Sequence, residues 1–154
     1  MGLRTAIAAD LALVAAWPRS AEECRRWAGP RVRFPVQAGA LAGEIDFRPS
    51  NAFVLVDQGL VVGFGQIFVK RTRAHLARII VAPDQRGRAY GTRLVEALLE
   101  RAQASALTTA SLNVDPANTA AIALYARLGF RPACRPDDEP DTTGAGYMER
   151  PLAG

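Results

Sequence analysis

R-I-I-V-A-P-D-Q-R-G-R-A-Y-G-T-R-L-V-E-A-L-L-E-R-A, residues Arg78 to Ala102, sets an apolar strand, a tight turn of arginine and glycine, and a helix in direct succession. A turn that feeds a helix N-terminus aims several unpaired backbone N–H groups and the positive end of the helix dipole at one point. Such a point binds phosphate. Gly87 and Gly91 supply backbone freedom and close approach for a ligand, and Arg86 and Arg88 add positive charge beside them. Neither G-x-G-x-x-G nor G-x-x-x-x-G-K followed by Ser or Thr is present, which excludes a dinucleotide fingerprint and a P-loop.

Working outward, Leu94, Leu98 and Ala102, supported by Val95 and Leu99, repeat on one helical face, while Arg93, Glu96, Glu100 and Arg101 look away from it. The helix therefore packs on a sheet. Upstream, His75 to Val81 reads as a strand whose near-continuous apolar end predicts burial on both faces and a central place in the sheet. Phe53 to Val56 and Leu60 to Val69 flank Asp57, Gln58 and Gly59, a β-hairpin signal. Downstream, Thr108 to Val114 is a further strand. Asp115 and Pro116 then open a second helix, with Leu124 and Leu128 anchoring it in the core and Gly129 as its C′ residue. Phe130 begins the next strand, the polar stretch Arg135 to Gly146 follows, and a last short strand lies around Tyr147 to Arg150.

The first forty residues carry two short helices. Asp10 reads as the N-cap of one, Ser20 with Glu23 as the capping box of the other, and Trp17 and Trp27 stand near their ends as core or lid residues. The whole order describes a mixed α/β sheet flanked by helices. At 154 residues the chain reads as a single domain, 1–154.

The composition, 49% hydrophobic and 22% charged, excludes disorder and fibrous repeats. No apolar run reaches the roughly 20 residues of a membrane span and no signal-peptide pattern opens the chain, so the location read from the sequence is cytoplasmic, with no membrane partner. The net charge of +4 is almost all arginine, Lys70 being the one lysine. The arginines are scattered without interleaved aromatics, which argues against nucleic acid. Cys24 and Cys134 lack neighbours at metal-ligand spacing, so no metal is expected, and both read as buried or half-buried small apolar side chains. Cys134 has no histidine close by in sequence to activate it as a nucleophile.

V-A-P-D-Q-R-G-R-A-Y-G-T, from Val81 to Thr92, resembles the acetyl-CoA pyrophosphate loop of the GNAT superfamily of N-acetyltransferases. Arg86 opens the loop, Ala89 stands at the usual first glycine and Gly91 fills the last position; the alanine departs from the pattern, and a positive φ there would strain it whereas a helical φ at the first turn would accept it. N-V-D-P-A-N-T-A-A-I-A-L-Y-A-R-L-G-F, from Asn113 to Phe130, resembles the superfamily's second signature. On a helix Asn118 and Tyr125 differ by roughly 20° and share a face.

The resemblance implies a GNAT fold with a mostly antiparallel central sheet and acetyl-CoA as acetyl donor. It implies that the backbone of Ile79, Ile80 and Val81 pairs with the pantetheine arm and that Arg86, Gly87, Arg88, Ala89, Tyr90, Gly91 and Thr92 cradle the pyrophosphate. Asn118 and Tyr125 would line the cofactor, and an N–H near Val81 would face the developing oxyanion. It implies that Tyr125 protonates the leaving thiolate, the alternative being that it only packs. His75 stands where many relatives carry a basic glutamate, and an imidazole with pKa near 6.5 suits a general base; as a lone histidine it reads equally as a packed residue. Glu44 and Asp46 are weaker base candidates. Asp137, Asp138, Glu139 and Asp141 either attract a cationic amine or form a solvated loop. The acceptor is a small-molecule amine or a protein N-terminus, dimerisation is common in the family, and a non-catalytic acyl-CoA sensor is the alternative function.

Overall fold

A computed structural model describes residues 1–139 and 144–153. Among them the elements run β1 (Gly2–Thr5), α1 (Ala8–Ala15), α2 (Ala21–Ala28), α3 (Ala38–Glu44), β2 (Ala52–Asp57), β3 (Leu60–Lys70), β4 (Arg73–Val81), α4 (Tyr90–Ala104), β5 (Thr109–Val114), α5 (Thr119–Arg127), β6 (Arg131–Pro132) and β7 (Gly146–Pro151). The described strands form one mixed sheet in the order β1-β2-β3-β4-β5-β7-β6, with β4 central as its apolar sequence predicts. The β1–β2, β2–β3, β5–β7 and β6–β7 pairs are antiparallel and β4–β5 is parallel. No helix among the described residues is long and apolar enough to cross a membrane. The chain divides into two compact units, Met1–Gln66 with Arg78–Ala97, and Ile67–Ala77 with Leu98–Gly154.

In the first unit the β2–β3 hairpin closes at Gln58 and Gly59, whose φ values of +50° and +79° match the twist of the strands they join. Leu11, Val14, Trp17, Cys24, Leu41, Ile45, Val54, Phe64 and Ile80 form its core. A fully buried Leu, Val or Phe contributes roughly 1.5–3 kcal/mol. A Cβ on Gly63 would meet Leu94 Cδ2 at 3.1 Å, so the glycine lets α4 lie close against β3.

Several local readings of this unit need correction. β1 and α3 were not anticipated: β1 is four residues with an exposed pattern, and α3 is a seven-residue segment rich in Ala and Gly, too short for a clear helical stripe. Asp10 is no N-cap, since α1 starts at Ala8. Its carboxylate sits in the first turn, where it accepts the Ile7 N–H at 2.8 Å and holds Arg4 through two bonds. Ser20 does cap α2 through the Glu23 N–H, but the Glu23 carboxylate bonds Arg86.

In the second unit β4 and β5 run in register from Arg73↔Thr109 to Leu76↔Leu112. β7 pairs along all of β5, from Thr109↔Pro151 to Val114↔Gly146. Leu98 and Ala102 of α4, with Leu112 and Phe130, are almost wholly buried. The second signature helix starts at Thr119, later than Asp115, because the Asn118 side chain caps it by accepting the Ala121 N–H at 3.2 Å. Leu124 and Leu128 are half-buried, so they do not anchor α5 as expected; the anchor is Phe130, whose ring meets Tyr125 edge-on at 5.9 Å. Gly129 takes the C′ position with φ +94°.

Candidate active site

In the first unit a short 3-10 turn at Pro83–Gln85 carries β4 into the loop, which the Ala82 N–H ties to Val62 O at 2.9 Å. Gly87 and Ala89 both hold positive φ, +80° and +63°, before α4 begins. The first α4 bond runs from the Arg93 N–H to Ala89 O. The amides from Gly87 to Thr92 therefore precede any possible i−4 acceptor in the helix, and residues 86–89 are exposed. Gly91 lies inside α4 without positive φ, so its expected backbone freedom is not used; what it offers is the lack of a side chain at the helix entry. Tyr90 and Thr92 are half-buried, and the Tyr90 hydroxyl donates to Asp57 Oδ2, a bond that holds the phenol above its usual pKa.

The two loop arginines differ. Arg88 is exposed, whereas Arg86 donates to Glu23 Oε1 at 2.7 Å and to Val81 O at 3.3 Å. The loop and the strand segment Ile79–Val81 are thus joined within one unit. Of that segment Ile80 is buried but Ile79 and Val81 are half-buried, so the expected burial of both faces of β4 fails near its end. The reason lies one residue earlier. Arg78 breaks the strand with φ +50°, and its carbonyl accepts the Trp27 indole N–H at 2.8 Å. Its guanidinium is largely desolvated, donating to Gln66 Oε1 at 3.0 Å, and burial pulls it below its usual pKa. Asp46 is held by Arg31 and Glu44 accepts the Arg33 N–H, so both weak base candidates have structural partners.

In the second unit His75 is 6% exposed. Its Nδ1 lies 2.8 Å from Ser111 Oγ, its Nε2 lies 3.6 Å from Glu139 Oε2, and its ring stacks on Tyr147. Burial pushes its pKa down to about 4, with Lys70, Arg73 and Arg135 adding to the effect and Glu139 opposing it. Glu139 also meets Lys70 at 2.5 Å, and Asp138 accepts from Arg73 at 2.7 Å. Both acidic residues are therefore ion-paired to strands, Glu139 buried and Asp138 still exposed to solvent; Asp137 is exposed, and Asp141 lies outside the described residues.

Tyr125 is half-buried on α5, and desolvation pushes its phenol up to about 12. No hydrogen bond joins it to His75 among the described residues. Asn118 caps the helix and so stands at its mouth, not on the helical face with Tyr125. Cys24 is buried as expected, but Cys134 is exposed.

Amides that precede any i−4 acceptor at the head of α4, joined through Arg86 to a strand segment with half-covered side chains, can take a phosphorylated ligand with an extended arm. The sequence model of the acetyltransferase (GNAT) family matches residues 15–130. The chain belongs to this family. It is 42% identical over 52 residues to the L-methionine sulfoximine/L-methionine sulfone acetyltransferase of Pseudomonas paraeruginosa, 34% of this chain and 30% of that protein. The match thus spans less than a third of that curated relative. The structure of the Escherichia coli ribosomal-protein-S18-alanine N-acetyltransferase superposes with TM-score 0.74 at 27% identity, over 99% of this chain and 94% of that one. A GNAT phosphinothricin acetyltransferase from Sinorhizobium meliloti, solved with acetyl-CoA, has TM-score 0.74 at 23% identity over 97% and 87% of the two chains. The mixed α/β GNAT fold is therefore shown for this chain, and the loop's donors fit the phosphates of the family's cofactor.

Three features escaped the sequence reading: the desolvated Arg78, the Trp27 bond to its carbonyl, and the Glu23–Arg86 pair. Only the first left a signal, a charged residue interrupting an apolar run in a central strand.

Proposed function

We propose that residues 1–154 act as one catalytic domain, an N-acetyltransferase that moves acetyl from acetyl-CoA directly to a primary amine in a ternary complex. The observation that carries this reading is the loop from Arg86 to Thr92, with its two positive-φ residues leading into α4. Bound acetyl-CoA supplies an activated thioester. The amides of Gly87 to Thr92, with Arg86 and Arg88, hold its pyrophosphate, and the backbone of Ile79, Ile80 and Val81 holds the extended arm. Asn118 at the cap of α5 and Tyr125 on the helix line the cofactor, and Tyr125 keeps its proton on Oη until it donates it to a leaving sulfur. A phenol raised to about 12 stays protonated throughout the physiological range, as an acid must.

His75 is the proposed base. With a pKa near 4 it is neutral and able to accept a proton, though weakly, and a His75→Ala variant that keeps the acidic limb of the kcat/KM profile removes it from the mechanism. The acceptor is a small amine or a protein N-terminus, a homodimer is the proposed assembly, and the cytoplasm is the proposed location.

Thermal unfolding with and without acetyl-CoA, in wild type and in Arg86→Ala with Arg88→Ala, tests the cofactor site, because a ligand of the native state alone raises stability by mass action. A rise lost in the double variant, followed by free-thiol release with amines, is the expected result. A rise without thiol release from any amine favours the acyl-CoA sensor. No rise at saturating cofactor ends the acetyltransferase reading.

A further inference from the structure

We infer that Ser111, Tyr147 and Glu149 are positioning residues that fix His75 in the tautomer carrying its hydrogen on Nδ1. Nε2 is then the atom through which the ring takes a proton. The inference rests on the proposed function, in which His75 is the base, and it adds the residues that orient that base. All of them lie in the second unit. Two pairings set three of them in one row on one face of the sheet: His75 of β4 stands opposite Ser111 of β5, and Ser111 stands opposite Glu149 of β7. Tyr147, two residues before Glu149 on the same strand, shares that face and stacks on the imidazole.

Each of these groups has few hydrogens to give, and counting them fixes the direction of every bond. A carboxylate only accepts, so the 2.6 Å contact spends the single hydroxyl hydrogen of Tyr147 on Glu149 Oε2. Toward any other neighbour the phenol oxygen can then only accept. Ser111 hydrogen-bonds the same phenol and favours its ionised form, the mark of a donor, so the hydroxyl hydrogen of Ser111 is spent in turn. Ser111 Oγ is left as an acceptor 2.8 Å from His75 Nδ1, and the hydrogen between them belongs to the ring. The other nitrogen agrees. His75 Nε2 faces Glu139 Oε2 at 3.6 Å, beyond hydrogen-bond distance although both side chains are buried. An N–H there would close on the carboxylate, whereas two acceptors stay apart. The Glu139 charge is met instead by Lys70 at 2.5 Å and Arg73 at 3.6 Å.

A histidine that only packs has no need of one tautomer; a base does. With Nδ1 committed to Ser111, a proton gained at Nε2 faces the Glu139 carboxylate and gives it a charge-assisted partner, while the Nδ1 hydrogen keeps its acceptor. The cations Lys70, Arg73 and Arg135 favour the neutral ring at rest, and Glu139 opposes them once the charge forms.

His75 is the one histidine of the chain, so nitrogen NMR of the isotopically labelled protein at neutral pH reads its tautomer without overlap. Wild type should show Nδ1 bearing the hydrogen and Nε2 bare. Tyr147→Phe frees the Ser111 hydrogen to turn to Nδ1, so the ring should switch to Nε2–H although Tyr147 makes no hydrogen bond to it. Ser111→Ala removes the Nδ1 acceptor and should switch it too, and it serves as the reporter if the phenylalanine variant does not fold. A wild-type ring with its hydrogen on Nε2, or a tautomer unmoved in the folded variants, overturns the inference whether or not the protein acetylates an amine. In turnover the switched tautomer should lower kcat by at least about tenfold, while the KM for acetyl-CoA and the thermal stabilisation by it stay as in wild type. A switched tautomer with unchanged kcat refutes the positioning role and removes His75 as base. If no amine releases thiol, the proposed function fails on that result, and the nitrogen spectra still decide the tautomer and what fixes it.

Discussion

Ala89 holds φ +63° at the loop position where relatives of this sequence pattern have glycine, so its methyl group sits against the backbone in a conformation glycine adopts freely. The sequence left two branches open for this residue, and the strained one is realised. Ala89→Gly should therefore stabilise the protein by about 1 kcal/mol despite the extra entropy of an unfolded glycine, read as a higher Tm. An unchanged or lower Tm would show that the surrounding loop does not enforce the angle. Tyr125 makes a complementary case. Its hydroxyl needs no partner within the described residues for the ring to pack on Phe130, so Tyr125→Phe should leave the unfolding free energy within about 0.5 kcal/mol of wild type. As the acid it should nevertheless lower kcat by roughly 100-fold or more, with the response to acetyl-CoA unchanged. A loss below threefold would reduce it to a packing residue.

At the scale of elements, α2 links the loop and the strand. Its Glu23 holds Arg86, and four residues later, one helical turn along, its Trp27 holds the Arg78 carbonyl at the strand break. A pyrophosphate that draws on Arg86 competes with Glu23 for the same guanidinium. Glu23→Gln should thus tighten acetyl-CoA binding about two- to fivefold, the scale of a partly exposed ion pair, measured by calorimetry. Weaker binding would mean that Glu23 positions Arg86 for the ligand. The helix and hairpin patterns were readable because their periods are local: α4 buries Leu94, Val95, Leu98 and Leu99 as its spacing requires, and Asp57-Gln58-Gly59 turns as written. β1 and α3 were not, because four- and seven-residue segments leave too few repeats for a period to show.

For the whole molecule, stability should depend on pH through His75. Its folded pKa of about 4 lies below the unfolded value near 6.5, so the unfolded chain binds the proton more readily between those limits. The stabilisation is complete above about pH 6.5 and is lost as pH falls toward 4. The full effect is on the order of 3 kcal/mol. The carboxylates of Asp10, Asp46 and Asp138, held low by arginines, lose their contributions below the usual carboxylate range, so the higher window belongs to the histidine. Denaturant titrations across pH 4–6.5 should show this slope in wild type and a flatter one in His75→Asn; equal slopes would place the proton elsewhere.

By itself the sequence determined the mixed sheet, the central strand, the arginine and glycine turn that leads into α4 and both family signatures, because each depends on residue types at short, fixed spacing. Only tertiary structure decided that the lone histidine is buried with its pKa pushed down to about 4, that Asp138 and Glu139 pair with Arg73 and Lys70, and that Arg78 is desolvated at a break in its strand. Those properties come from charges, burial and hydrogen bonds between residues far apart in the chain, as in Lys70 with Glu139 or Trp27 with Arg78, and no local pattern encodes which distant groups will meet.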